Sequence, residues 1–239
     1  MWATTVATQA YGVWGIVFTA VAVGTAVGAV NGLLIAYGRI APFIATLAML
    51  ASARGLAEEM SQRRTQTVKD ASFNNFFTSE PLHIPMLVIM FAVVAVLGWI
   101  LLNRTTFGRR TFAIGGNAEA ARLAGINVRR HTLMLYALLG FCCGIGAVMI
   151  MARTTTGSST HGLLYELDAI AAVVIGGTIL AGGRGTMVGT VIGVLIFATV
   201  NNIFALNNYS SSRQAIARGV IIVIAVLFQQ RLSRKSRST

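Results

Sequence analysis

The chain has 239 residues, of which 55% are hydrophobic and only 11% charged, and its mean hydropathy is +0.72; a soluble domain is roughly a quarter charged, so the solvent that suits this composition is a bilayer. A net charge of +12 does not mark a partner of nucleic acid, because the cations flank apolar spans in the positive-inside manner instead of forming a patch. Apolar runs of about 20 residues recur without the alternation of a β-barrel, so the expected fold is all-α, a polytopic membrane helical bundle forming a single domain over residues 1–239.

Seven apolar segments follow one another. The first charge is Arg39, and what precedes it is too long for one straight crossing, so residues 1–10 are expected to finish an earlier helix and Tyr11 to Gly38 to form a full span. No basic stretch precedes the apolar run, which argues against a signal peptide. The second segment runs from Ile40 to Met60. Phe43, Thr46 and Met49 share one face of it at helical spacing, and either line a solute path or simply pack. The third runs from Pro85 to Asn103.

Between the third and fourth segments lies a stretch too polar to enter the membrane, residues 104–130, carrying Arg104, Arg109, Arg110, Arg122, Arg129 and Arg130. Within it, Asn117 suits a helix N-cap and Glu119 the first turn, where its charge complements the helix dipole. Gly125 suits the C-terminal cap. The spacing predicts a short helix with alanines at 118, 120, 121 and 124, either a small knob that fits a groove on a partner or a well-capped solvated loop.

The fourth segment runs from His131 to Ala152 and holds adjacent Cys142 and Cys143, whose spacing suits packing better than redox or metal chemistry. The fifth, Leu167 to Gly182, is short and glycine-rich. Glu166 and Asp168 stand at its start, at a helix end, and serve either capping and the dipole or an outer gate or docking point. The sixth, Met187 to Leu206, carries Asn201 and Asn202 late in its length, suited to lining a path for a polar solute or to bonds between helices. The seventh runs from Ala215 to Phe228, with Arg213 and Arg218 able to snorkel to the interface, and a basic tail covers residues 229–239. Gly24, Gly28 and Gly32 form one GxxxGxxxG pattern and Gly185, Gly189 and Gly193 another, while Gly140 and Gly144 add a shorter one. Spacing by four puts such glycines on one helix face, where backbones approach closely.

Charge assigns the sides. With 104–130 and the tail cytoplasmic, the inner face holds Arg39, the six arginines of that stretch, Arg184, Arg231, Arg234, Lys235 and Arg237. The outer face holds Arg63, Arg64, Lys69, Arg153 and Arg213. Seven crossings that end inside begin outside, which calls for an odd number of further spans upstream.

Three stretches carry a resemblance. Glu119 to Gly125 fits the EAAxxxG pattern of the coupling loop of bacterial ABC importer permeases. TFGRRTFAIGGNAEAARLAGINV around it, PFIATLAMLASARGLA at Pro42 to Ala57 and ELDAIAAVVIGGTILAGGRG at Glu166 to Gly185 resemble the monosaccharide importer permeases of the ribose, xylose and arabinose type, over practically the whole chain. The resemblance implies a ten-helix plasma-membrane permease that dimerises with a second copy or a paralogue. It also implies a pair of cytoplasmic ATPase subunits as partners and an extracytoplasmic sugar-binding protein that delivers the solute. Glu119, Ala120, Ala121 and Gly125 then become the contact to the ATPase. In such permeases this loop follows the sixth helix, whereas here it follows the third segment, so three family helices are expected upstream, among them the one with the GIDLS-type motif.

Other classes fare less well. GTILAGGR from Gly177 to Arg184 is the nearest approach to a Walker A, and it has Gly183 where the lysine belongs, so ATP hydrolysis is expected on a separate subunit. A secondary transporter or channel is expected to bury ionisable groups at depth, and the spans are nearly free of acids. His83, His131 and His161 are scattered, without metal spacing or a nucleophile and base, and neither enzyme chemistry nor a cofactor is expected. A permease for some other small polar solute stays open as an alternative.

Overall fold

The structure is a computed structural model that describes residues 11–68, 71–79 and 81–210, together with 213, 214, 216, 217, 219–221, 223 and 227. Expectations about residues 1–10, Lys69, Arg218 and the basic tail lie outside the described residues. The helices are α1 (Gly12–Ala36), α2 (Pro42–Ser61), α3 (Ala71–Thr78), α4 (Met86–Arg104), α5 (Thr106–Gly116), α6 (Ala118–Leu123), α7 (Val128–Thr154), α8 (Tyr165–Ile175) and α9 (Met187–Leu206). Two short strands, β1 (Gln66–Thr67) and β2 (Thr156–Gly157), pair antiparallel.

Four of these, α1, α4, α7 and α9, are long and apolar enough to cross a membrane by length and composition. They match four of the seven expected segments closely. Of the other three, α2 has sufficient length but carries Arg54, Glu58 and Glu59 in its second half. The fifth segment is helical only over the 11 residues of α8, a rise of ~16 Å, which falls short of the hydrocarbon thickness. The seventh is helical at its described residues from Arg213 to Leu227.

The chain divides into two compact units, residues 1–92 with 127–161 and residues 93–126 with 162–239. In the first, α1 and α7 run antiparallel and meet glycine to glycine. A Cβ at Gly24 would stand 2.5 Å from the carbonyl oxygen of Gly140, one at Gly32 would stand 2.9 Å from the Cα of Leu133, and one at Gly144 would stand 2.7 Å from the Cα of Val21. Each glycine removes the atom that would hold the two backbones apart, so dispersion contacts accumulate along several turns. The antiparallel pairing also groups the charges, since Arg39 follows α1 at the end where Arg129 and Arg130 open α7.

At the opposite end of the same unit a cap closes over the helices. Val68 donates its N–H to the carbonyl of Thr155 at 2.9 Å, extending the β1–β2 ladder. Phe73 and Phe77 of α3, one turn apart, bury themselves with Ile16, Val148, Met151 and Ala152, their ring centroids 4.7 Å apart. The sequence offered no segment here, because two-residue strands and an eight-residue helix are too short for a periodicity to show.

In the second unit, α8 packs on α9 around Ala171, Ala172 and Phe197. Gly189 and Gly193 of α9 lie directly against the backbone of Gly176 and Ala172. Gly185 does not belong to this stripe: α9 starts at Met187, after Thr186 caps it by accepting from the N–H of Gly189 at 3.1 Å. Gly185 lies in the preceding loop, against the side chain of Thr178. The end of α8 is a Schellman turn in which Thr178 donates to Val173 and Gly177 to Val174, with Gly177 at φ +86°, a conformation that glycine adopts without steric cost.

Candidate coupling helix and solute path

The arginine-rich stretch holds more helix than the sequence suggested. Thr105 caps α5 by accepting from the N–H of Gly108, and α5 turns Phe107, Phe112 and Ile114 partly inward while Arg109 and Arg110 stay exposed. One apolar and one cationic face fit a helix at the boundary of the bilayer. At the junction with α4, the guanidinium of Arg104 lies 5.5 Å from the ring centroid of Trp99, an aromatic and cationic pairing suited to the interfacial layer.

After α5 the chain turns at Asn117 into α6. The Asn117 side chain accepts from the backbone N–H groups of both Glu119 and Ala120 at 3.0 Å, relieving two donors that the first turn leaves without partners. The other end closes as a Schellman turn: Ile126 donates to Ala121 and Gly125 to Arg122, each at 3.0 Å, with Gly125 at φ +82°. Glu119 and Arg122 form an ion pair at 2.6 Å. Of the six helical residues only Ala121 is buried, and Leu123 is 81% exposed. Ala120, Leu123 and Ala124 share one outward face by their three- and four-residue spacing. Capping at both ends makes this short helix a rigid projection, although six residues alone would not hold a helix in water.

A contact that the sequence did not reveal braces the end of α5, immediately before α6. The loop between α8 and α9 lays Gly182 and Gly183, at φ +92° and +78°, against the backbone of Gly115 and Gly116. A Cβ at Gly115 would stand 2.7 Å from the N of Gly183, and one at Gly182 would stand 2.7 Å from the carbonyl oxygen of Gly115. The break after α8 therefore touches the residues just before the cap of α6. The paired glycines at 115–116 and 182–183 were the only available signal, and nothing local joins them.

The remaining candidates are dispersed. Phe43 is 74% exposed on α2, and Thr46 turns its hydroxyl back to the carbonyls of Pro42 and Phe43 at 2.9 and 3.1 Å. Met49 is half-buried. On the same helix, beginning at Leu50, a cleft of about 380 Å³ opens towards α7 and the loop after β2, and none of those three residues lines it. Asn201 is half-buried and Asn202 exposed, both on α9 in the other unit. Glu166 and Asp168 occupy the first turn of α8, whose N-cap residue, Leu164, makes no side-chain capping bond. Their charges complement the helix dipole there.

Apolar helices of membrane-crossing length, joined through glycine and carrying a short, doubly capped polar helix in the segment between α4 and α7, are the parts of a polytopic membrane protein. The chain belongs to the family described as the permease component of the branched-chain amino acid transport system, whose pattern matches residues 1–227, and it is a multi-pass inner-membrane protein. It is 45% identical over 205 residues to the ribose import permease protein of Bacillus subtilis (strain 168), covering 85% of this chain and 64% of that protein. It is 42% identical over 215 residues to the ribose import permease protein of Escherichia coli (strain K12), 88% of this chain and 67% of that one. Against the L-arabinose transport system permease protein of E. coli (strain K12) it is 38% identical over 210 residues, 88% and 64% respectively. The chain thus spans about two thirds of the length of these relatives. No solved structure matches it.

Proposed function

We propose that this chain is the membrane subunit of an ATP-driven importer of monosaccharides, with residues 1–239 acting as one permease domain and 104–130 as its cytoplasmic coupling segment. In this reading α6 docks on a cytoplasmic ATPase, a second permease copy or a paralogue completes the pore, and an extracytoplasmic binding protein delivers the sugar. The basic tail lies on the same side as α6, as the distribution of arginines favours.

The observation that carries the proposal is α6 itself: a helix capped at both ends, exposed except at Ala121, and preceded by Gly115 and Gly116, on which Gly182 and Gly183 rest. A projection of this kind can transmit force without deforming. Such a contact moves the equilibrium between inward- and outward-facing states only if it engages the ATPase differently in each. The sugars named for the relatives favour a sugar over the amino acids in the family's description.

Glu119→Lys tests the coupling. It replaces the ion pair with Arg122 by a repulsion and opposes the dipole at the exposed start of α6. The protein is expected to insert normally, while ATPase association and ATP-driven uptake both fall. Co-purification with the ATPase and uptake in proteoliposomes measure the two, and unchanged uptake would refute the assignment.

A further inference from the structure

The cleft on α2 carries an observation that the coupling helix does not explain. Its polar lining is Arg54 of α2 and Ser158, Ser159 and His161 of the loop after β2, and its apolar lining includes Leu50, one turn before Arg54 on α2, and Ile150 of α7. Arg54 stands seven residues inside the C-terminal end of α2, about 10 Å from it along the axis. It has no ion pair or side-chain hydrogen bond among the described residues. Glu58, one turn further on and well placed to neutralise it, instead gives its carboxylate to Arg63 at 3.3 Å. A half-buried guanidinium that lines a cleft without an acceptor among the described residues is stabilised by any acceptor that reaches it there.

The loop side of the cleft is held in shape. The N–H of His161 donates to the carbonyl of Ser158 at 3.2 Å, and the hydroxyls of Ser158 and Thr160 lie 2.9 Å apart. The turn follows directly on β2, whose residue Gly157 pairs with Gln66. These groups therefore belong to the cap end of the first unit, opposite the end where α7 begins at the coupling segment.

We infer that this cleft is a binding site for the transported solute on the outer side of the permease, taking a monosaccharide whose adjacent hydroxyl oxygens accept from the guanidinium of Arg54. The inference rests on the importer reading above and specifies where that importer holds its substrate. The planar fork of Arg54 donates two parallel hydrogen bonds to oxygens on neighbouring carbons. Ser158, Ser159 and His161 offer further partners, and the C–H face of a sugar ring lies against Leu50 and Ile150. The volume falls within the range of small-molecule sites, and an apolar wall with a few convergent polar groups is their usual build.

The test uses the complete importer, reconstituted in proteoliposomes with its ATPase and binding protein and supplied with labelled D-ribose, L-arabinose or D-galactose. Arg54→Gln is expected to raise the KM for the transported sugar about tenfold, the loss of one charged hydrogen-bonding group. ATPase stimulation by the binding protein is expected to stay within about twofold, and Arg54→Lys to restore part of the affinity. A KM within about twofold of the unaltered protein, or a parallel fall of uptake and ATPase activity, would overturn the inference.

A second arm is independent of uptake. With Cys142 and Cys143 replaced by serine, Ser159→Cys is expected to react with a membrane-impermeant thiol reagent from outside, and sugar-loaded binding protein to slow that reaction severalfold. Labelling that is absent from outside, or indifferent to sugar, counts against the site. Failure of the unaltered importer to move any of the three sugars would instead refute the transport reading itself.

Discussion

Among the described residues glycine joins two helix pairs, and it does so in different ways. In α1 and α7 the glycines are spaced by four on both partners, their φ angles are ordinary, and the contact extends over Gly24, Gly28, Gly32, Gly140 and Gly144. In α8 and α9 the contact is brief, between Gly176 or Ala172 and Gly189 or Gly193, and it adjoins a loop in which Gly177, Gly182 and Gly183 have positive φ. The first pair uses the missing Cβ for proximity alone. The second uses it for proximity in the helices and for chain reversal in the loop that reaches Gly115 and Gly116. A long rigid pair and a short interrupted one are thus built from the same residue.

The sharpest way to break that contrast is Gly28→Leu. A Cβ there would run into the carbonyl oxygen of Tyr136 and the backbone of Gly140, which cannot give as a flexible side chain would, so the cost should exceed the roughly 1–3 kcal/mol of ordinary overpacking. Loss of the folded protein from membranes is the expected outcome. Gly146→Leu, on α7 but facing open space, should leave thermal stability in detergent nearly unchanged. Equal behaviour of the two would show that the α1–α7 contact is not what holds this unit.

A smaller effect is expected from Gly189→Ala, because the contact it disturbs is shorter. Its Cβ would meet the backbone of Gly176, and a destabilisation of about 1–3 kcal/mol should appear as a lower melting temperature with the protein still inserted. The smallest change is expected at Gly125→Ala. The αL conformation then costs about 1–2 kcal/mol, which should weaken ATPase binding by about five- to thirtyfold without altering the melting temperature of the bundle. Gly116→Ala, whose Cβ would point into open space without a positive φ, is the matching control. Equal ATPase affinity in the two variants would separate the rigidity of α6 from its docking.

Legibility followed range along the chain. Asn117, Glu119 and Gly125 announced both ends of α6, because each cap depends on residues within a few positions of one another. The boundaries of α9 could be read from the sequence for the same reason. Residues 104–116 were harder, since α5 lies at an interface and its mixture of arginine and phenylalanine resembles a polar loop. The cap made by β1, α3 and β2 gave no signal, because Phe73 and Phe77 become core residues only once Ile16 and Val148 stand beneath them. Arg54 and His161 were visible as residues but not as neighbours, being more than a hundred residues apart with all of α3 to α7 between them.

The amino-acid order alone determined that this chain is a helical membrane protein, where most of its long helices run, and that one small capped helix stands among its arginines. Hydropathy, capping and the period of 3.6 residues act within a single segment and need no partner to be felt. Which glycine row meets which, where α8 stops short, and how the loop at 182–183 comes to rest on Gly115 and Gly116 were decided only in three dimensions. The physical reason is that a row of glycines specifies a flat face and says nothing of its counterpart. That choice depends on the close packing of backbones more than a hundred residues apart, as with Gly24 and Gly140.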